Sequence, residues 1–313
     1  MAQKAQQRIG DRFFYSLSLI AGLLILAVLL AVTVFLIADA IPALIADSET
    51  FSQAIGASKS QSFWSYVAPL AFGTVWVAAI ALLIATPISV GVALFISHYA
   101  PRKLAGPLGY VVDLLAAVPS VVYGLWGISV LAPAVQPIYA WMVAYFDWFP
   151  LFSGPVSGTG RTILTVSIVL AVMILPIMTA MCREVFLQTP KLQEEAALGL
   201  GATRWEMIRL AVLPAGRSGI ISAMMLGLGR ALGETMAVAM VLSPATVISF
   251  ALLTSQNPNT IASNIALNFP EAFGLRVNSL IATGLILFLI TLIVNVIARW
   301  VIARRKEFSG ANA

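Results

Sequence analysis

Two charged residues, Arg230 and Glu234, stand inside an otherwise apolar run, in Gly227-Leu228-Gly229-Arg230-Ala231-Leu232-Gly233-Glu234-Thr235. A charge at mid-membrane costs at least about 2.5–3.5 kcal/mol even on the lenient insertion scale, so such residues mark a transport path by default. A spacing of four places them on one face of a helix, where they are expected to pair. A guanidinium presents a fork of N–H donors that suits phosphate or another tetrahedral oxyanion, so the chemistry is anion handling. Glu234 has two readings. As a carboxylate it keeps the anion from binding too tightly to leave; as a buried, protonated acid it donates toward the anion. A self-neutralising pair that only aids packing is the plainer alternative. Gly229, Gly233 and Ala237 fall four apart on an adjoining stripe, a small-residue face that lets another helix approach closely.

A second cluster lies in the polar stretch 188–216, between two apolar runs. Thr189-Pro190 is expected to open a helix as cap and first residue. That helix runs through Glu194, Glu195, Ala196 and Ala197 to a turn allowed by Gly199 and Gly201. Thr203-Arg204-Trp205-Glu206 has capping-box spacing and starts a second helix. Trp205, Ile208 and Val212 give it an apolar face, and Pro214, after Leu213, closes it. A charged, glycine-hinged helix pair does not sit in hydrocarbon; it projects and offers a docking face to a soluble partner. A DNA-reading helix-turn-helix is excluded, because both ends of the segment enter apolar runs within a few residues.

The rest of the chain must hold these two clusters. Sixty per cent of its 313 residues are hydrophobic and only 10% are charged, and the mean hydropathy is +0.96. A soluble domain carries about 25% charged residues, so the chain is an integral membrane protein. Six runs suffice to span a bilayer, at about 13–38, 69–97, 107–133, 162–187, 217–243 and 278–302. The fold class is all-α: one membrane domain over 13–302, with tails at 1–12 and 303–313 and outer loops at 39–66, 134–161 and 244–277. The first run is too long for a signal-peptide core and is retained. Pro87, Pro119 and Pro176 interrupt runs, and the freed carbonyls must find other partners. The aromatic stretch 139–150 is expected at headgroup depth. Asp113, at the start of the third run, is expected at the interface.

Basic residues set the orientation. Lys4, Arg8, Arg12, Arg102, Lys103, Arg183, Lys191, Arg204, Arg209, Arg217, Arg299, Arg304, Arg305 and Lys306 fall on one side. Only Lys59, Arg161 and Arg276 fall on the other, so both termini are placed in the cytoplasm. This asymmetry accounts for the net charge of +5 and leaves no reason to invoke nucleic acid; membrane lipid is the surrounding partner. Cys182 and His98 each stand alone and read as structural, with no metal site. No residue is assigned a catalytic role: the spans hold no His or Cys constellation and no paired carboxylates. The chain also lacks Gly-x-x-x-x-Gly-Lys-Ser/Thr, hence a nucleotide cradle.

Three stretches carry a resemblance: Ala117-Val118-Pro119-Ser120-Val121-Val122-Tyr123-Gly124-Leu125-Trp126-Gly127, the loop with Glu195-Ala196-Ala197 and Gly201 through Leu213-Pro214, and Arg230 to Val238. Over roughly 65–305 the chain resembles the phosphate-specific permeases of bacterial ABC importers (the Pst system), nearer the PstC branch than the PstA branch. One departure is Ala211, where the family usually has Ile. The resemblance implies a six-helix type I importer permease, multi-pass in the bacterial cell membrane. Its implied partners are a PstA-like second permease, a PstB-like ATPase dimer and a PstS-like extracytoplasmic phosphate-binding protein. No cofactor belongs to this chain; ATP and Mg belong to the partner ATPase. Arg230, Glu234 and Thr235 then serve phosphate passage, with Ser120 and Tyr123 as further lining residues. Glu195, Ala196, Ala197, Gly201, Trp205, Leu213 and Pro214 belong to the coupling loop, which moves with the ATPase. A permease for sulfate or molybdate, or an anion channel not driven by ATP, are the alternatives.

Overall fold

The computed structural model describes residues 9–57 and 60–306. Six of its helical stretches are long and apolar enough to cross a membrane: Phe13–Ile45, Phe63–Tyr99, Ser120–Phe146, Ile163–Leu187, Arg204–Leu232 and Leu275–Val301. The chain divides into two units, one of residues 1–63 with 272–285 and one of 64–271 with the chain from 286 onward.

In the first unit, helix α1 (Ile9–Ile45) is followed by the short helix α2 (Ser48–Ile55). Asp47 caps α2, its carboxylate accepting from the Glu49 and Thr50 amides at 3.1 and 3.0 Å and from the Thr50 hydroxyl at 2.7 Å. Phe51 is fully buried edge-on against Phe63, with ring centroids 6.0 Å apart. Asn278 donates to the Asp39 carbonyl at 2.7 Å, tying the start of the last helix to α1. The expected loop 39–66 is therefore largely helical.

The second unit runs from α3 (Phe63–Leu94) through α4 (Arg102–Ala116), α5 (Ser120–Trp126) and α6 (Ala132–Phe146) to α7 (Ile163–Leu187). Then come α8 (Lys191–Gly199), α9 (Arg204–Met207), α10 (Leu213–Leu232) and α11 (Met236–Val241). The two-residue parallel strands β1 (Pro244–Ala245) and β2 (Asn257–Pro258), helix α12 (Ile261–Asn268) and α13 (Leu275–Lys306) complete the chain. Helix α7 is the hub: its apolar window is 67% buried, against 33% or less in the other spans. Its Val166, Leu170, Met173, Ile174 and Met178 pack with Val77 and Ala81 of α3, Tyr139 of α6 and Val238 and Val241 of α11. At its far end Cys182 and Phe186 pack with Leu94, Ile208, Val212 and Ala223. Helix α10 lies close along α7 because Gly219 leaves room for Val185; a Cβ there would collide with that valine.

Three π-helical turns, Phe95–Tyr99, Gly127–Leu131 and Ile208–Val212, interrupt the helices. Each ends two residues before a proline: Pro101, Pro133 and Pro214. A proline offers no N–H to the carbonyl four residues back and crowds it, and the wider turn absorbs the mismatch. Pro214 therefore does not close the second loop helix as expected, since α10 continues through it.

The third span is also corrected. The expected run 107–133 is split by Pro119, whose ψ of 139° is extended and which disfavours helix at Val118. Helix α4 stands apart before this break, with Asp113 exposed on it. The crossing helix begins at Ser120 and reaches Phe146, so the expected loop 134–161 is helical over its first part. Tyr139 is 2% exposed and bonds Thr165 at 2.9 Å, rather than sitting at an interface. The expected loop 244–277 contains β1, β2 and α12. Residues 1–8 and 307–313 of the expected tails lie outside the described residues; residues 9–12 and 303–306 are helical.

Candidate functional site

The apolar run that carries Arg230 and Glu234 is not one helix. Helix α10 ends at Leu232, Gly233 caps it with φ −90° and ψ 0°, and α11 begins at Met236. Gly233 lowers helix propensity, and the Glu234 side chain competes for the backbone. Its Oε1 accepts from the Ala237 amide at 3.0 Å, capping α11 from a position that is only 8% exposed. The expected Arg230–Glu234 ion pair does not form, because the break removes the shared face and the carboxylate is engaged elsewhere. Thr235, at the cap position of α11, makes no side-chain capping bond.

Arg230 is half-buried on the last turn of α10, and its Nε is buried without a hydrogen-bond partner. A guanidinium nitrogen so placed is an unsatisfied donor beside the break, costly unless an acceptor arrives. The Tyr123 hydroxyl donates to the Leu115 carbonyl at 2.9 Å, across the Pro119 break. Helix α5 reaches this region because Gly124 meets Ala237 of α11 closely enough that a Cβ would stand 2.9 Å from the Ala237 Cα. The structure thus brings the Gly124 segment of α5, Glu234 and Ala237 together at the break that follows Arg230. Ser120 opens α5 half-buried, with no described contact to Arg230.

The expected Gly229–Gly233–Ala237 stripe is broken with its helix. Nothing lies within 4 Å of a Cβ at Gly229, and only the Gly229 carbonyl lies near one at Gly233. Ala237 alone is packed, at 1% exposure.

The loop cluster forms as two short helices. The capping box is present: the Glu206 carboxylate accepts from the Thr203 amide and hydroxyl, both at 2.8 Å, and the Glu206 amide donates back to Thr203 Oγ1 at 3.3 Å. Gly201 turns the chain at φ +88°, where an L side chain is strained. The start of α8 differs from expectation. Its cap is Pro190 without a side-chain bond, and Thr189 is buried with its hydroxyl unpartnered. The expected apolar face divides, with Ile208 and Val212 fully buried and Trp205 55% exposed. Leu200 and Leu210 stay exposed around a concave face of about 740 Å³ lined also by Ala196, Ala197, Gly201, Glu206 and Ala211. Glu195 is exposed, Leu213 is half-buried and Pro214 is exposed. His98 is not alone: its Nε2 lies 3.6 Å from Glu194 Oε1, joining the end of the α3 span to α8.

Residues 85–307 match the family described as binding-protein-dependent transport system inner membrane component. The chain belongs to this family. Within it, the chain goes with the PstC permeases. It is 46% identical over 298 residues to the phosphate transport system permease protein PstC 2 of Mycobacterium bovis, covering 93% of this chain and 91% of that protein. It is 40% identical over 310 residues to PstC of Mesorhizobium japonicum, covering 96% and 92%. Two solved structures share the fold of this permease. A bacterial ABC transporter involved in alginate import aligns at a TM-score of 0.56 and 18% identity, over 94% of this chain and 99% of the other. The inward-facing MetNI methionine ABC transporter aligns at 0.52 and 12%, over 76% and 95%.

One residue of this permease escaped the sequence reading except as a basic residue of an outer loop. Arg161 Nη2 donates to the Met240 and Leu242 carbonyls at 3.1 and 3.0 Å, and its Nε to Val241 at 3.4 Å. Its only sequence signal is a lone charge at the edge of an apolar run.

Proposed function

We propose that this permease forms half of the translocation path of an ATP-driven inorganic phosphate importer. The observation that carries the reading is the buried, unpartnered Arg230 Nε at the α10–α11 break, in a chain 46% identical to a phosphate transport permease. A guanidinium fork fits a tetrahedral oxyanion, and the cargo supplies the acceptors that the protein withholds. Glu234 is committed to capping α11 through Oε1, so its charge borders the site without neutralising Arg230. Thr235, next to Glu234, offers a hydroxyl.

The second permease, the ATPase pair and the extracytoplasmic binding protein are partners in this reading, with both termini cytoplasmic. Exposed Leu200 and Leu210 around the concave loop face, with exposed Trp205 on the same loop, suit the soluble ATPase, on which ATP and Mg are held. Movement of that loop passes into α10 and reaches Arg230 at its other end.

The test is radiolabelled phosphate uptake, with sulfate as competitor, in cells carrying the partner subunits with and without this chain. The reading expects uptake that requires the chain and resists sulfate. Arg230→Glu is expected to abolish uptake while the complex assembles. Surviving uptake in that variant makes Arg230 structural, and loss of uptake to sulfate reassigns the cargo.

A further inference from the structure

We propose that Arg161 is a positioning residue for transport: it clamps the carbonyl end of α11 and thereby sets the geometry of the Gly233–Thr235 break. The inference rests on the path assigned above.

Helix α11 has six residues, far below the length at which a helix holds itself together. Its last carbonyls have no intrahelical donors, and the backbone dipole leaves that end negative. Arg161 meets both needs. Its fork binds the carbonyls of three successive residues, Met240, Val241 and Leu242, and its fixed positive charge faces the negative helix end. A single donor would satisfy one carbonyl; a rigid planar fork on three fixes the direction in which the helix end points.

The arginine is itself held from several sides. Gly160, before it, has φ +68°, and a Cβ there would collide with the Ala132 carbonyl. The Gly160 carbonyl accepts from Thr165 Oγ1 at 2.6 Å, and that hydroxyl also meets Tyr139 and Thr162 at 2.9 and 3.1 Å. Asn257, fully buried, donates to the Arg161 carbonyl at 3.3 Å and to the Ser243 carbonyl at 3.4 Å. Its Oδ1 accepts from the Ile163 amide at 3.3 Å. One asparagine thus grips both the residue carrying the clamp and the segment leaving α11. At its near end Glu234 caps α11 through the Ala237 amide, so Glu234 goes with this helix. The distance from Glu234 and Thr235 to Arg230 therefore depends on where Arg161 holds the far end.

The experiment uses the assembled complex in lipid vesicles, measuring phosphate uptake and ATP hydrolysis together. Arg161→Gln removes the charge and most of the fork; Arg161→Lys keeps the charge. The expected result for Arg161→Gln is about tenfold less phosphate moved per ATP hydrolysed, with hydrolysis itself within about twofold, and a smaller but clear loss in Arg161→Lys, which keeps the charge without the fork. A second readout is a thiol placed by Gly233→Cys, where a side chain has room. It should react with an external maleimide several-fold faster when combined with Arg161→Gln; the native Cys182 is buried and does not compete. An unchanged transport ratio and an unchanged thiol rate overturn the proposal. If Arg161→Gln fails to assemble, Arg161→Lys decides: a reduced ratio with a faster thiol supports the clamp, and wild-type values for both overturn it. If the wild-type complex moves no phosphate, the cargo assignment fails, while the thiol contrast still decides whether Arg161 holds α11.

Discussion

Two roles proposed for Glu234 are separated by two substitutions. Its Oε1 caps α11 through the Ala237 amide at 3.0 Å, and its carboxylate sits within the break. Glu234→Gln keeps an acceptor of the same shape and removes the charge. A hydrogen bond to a charged group contributes about 1.5–3 kcal/mol and a neutral one about 0.5–1.5, so the Gln variant loses about 1 kcal/mol of local stability. Glu234→Ala leaves the buried Ala237 N–H without its partner, which costs about 1–3 kcal/mol. In local opening this corresponds to roughly five- to 150-fold faster amide exchange across α11 for Ala, and within about fivefold for Gln.

The assay is hydrogen–deuterium exchange of the peptide spanning residues 236–242 in the assembled complex, alongside uptake. If Glu234→Ala protects that peptide as well as wild type does, the capping account is wrong, whatever happens to transport. Given the exchange pattern above, uptake then divides the roles. A Gln variant that transports normally reduces Glu234 to a cap. A Gln variant that assembles normally yet loses at least about tenfold in uptake, far beyond its small local cost, assigns the charge itself to the path.

Three further outcomes follow from the same geometry. His98→Ala removes the 3.6 Å link to Glu194; it should leave the ATPase subunit bound while lowering phosphate moved per ATP, both read on the purified complex. Gly219→Leu drives a side chain into Val185 along the α7–α10 contact, and overpacking of about 1–3 kcal/mol should lower the thermal midpoint of the complex in a fluorescence melt. Asp47 is held below the usual carboxylate range, first by the Thr50 hydroxyl and then by the Thr50 amide. The α2 cap is therefore fully present above the unfolded pKa and is lost as pH falls through the depressed folded value; an NMR titration of the Asp47 carboxyl carbon should show a midpoint below 3.8.

What the sequence made legible was local. Six apolar runs gave six membrane-length helices, the third and fifth shifted to Ser120–Phe146 and Arg204–Leu232, and Thr203 with Glu206 gave the capping box, because length and a three-residue spacing carry these features. Gly201 announced its turn for the same reason. The break after Leu232 was not legible: Arg230 and Glu234 are four apart in a helical pattern, and only the Glu234 bond to Ala237 reveals that the pattern stops. Pro119 was read as one more span proline and Pro214 as the end of a loop helix. The first ends a helix and the second is absorbed by a π turn, a difference set by the packing on either side. Arg161 was hidden most fully, since its partners lie about eighty residues away in sequence and are backbone carbonyls, which leave no trace in residue types.

In the proposed importer, these joints carry a signal from the loop to the path. Helix α10 holds 20 residues without a break, about 30 Å at 1.5 Å per residue. One end adjoins the π turn Ile208–Val212, packed with Leu94 and Phe186; the other carries Arg230. The glycine contacts with α7 let α10 lie close along that buried hub. A displacement of the loop is therefore carried along a stiff rod and spent at the first compliant point, Gly233–Thr235. The short α11 beyond it is held at its far end by Arg161, so it cannot simply follow. Arg230 moves with the rod while Glu234 stays with α11, and the spacing between the two charges becomes the quantity that loop movement changes.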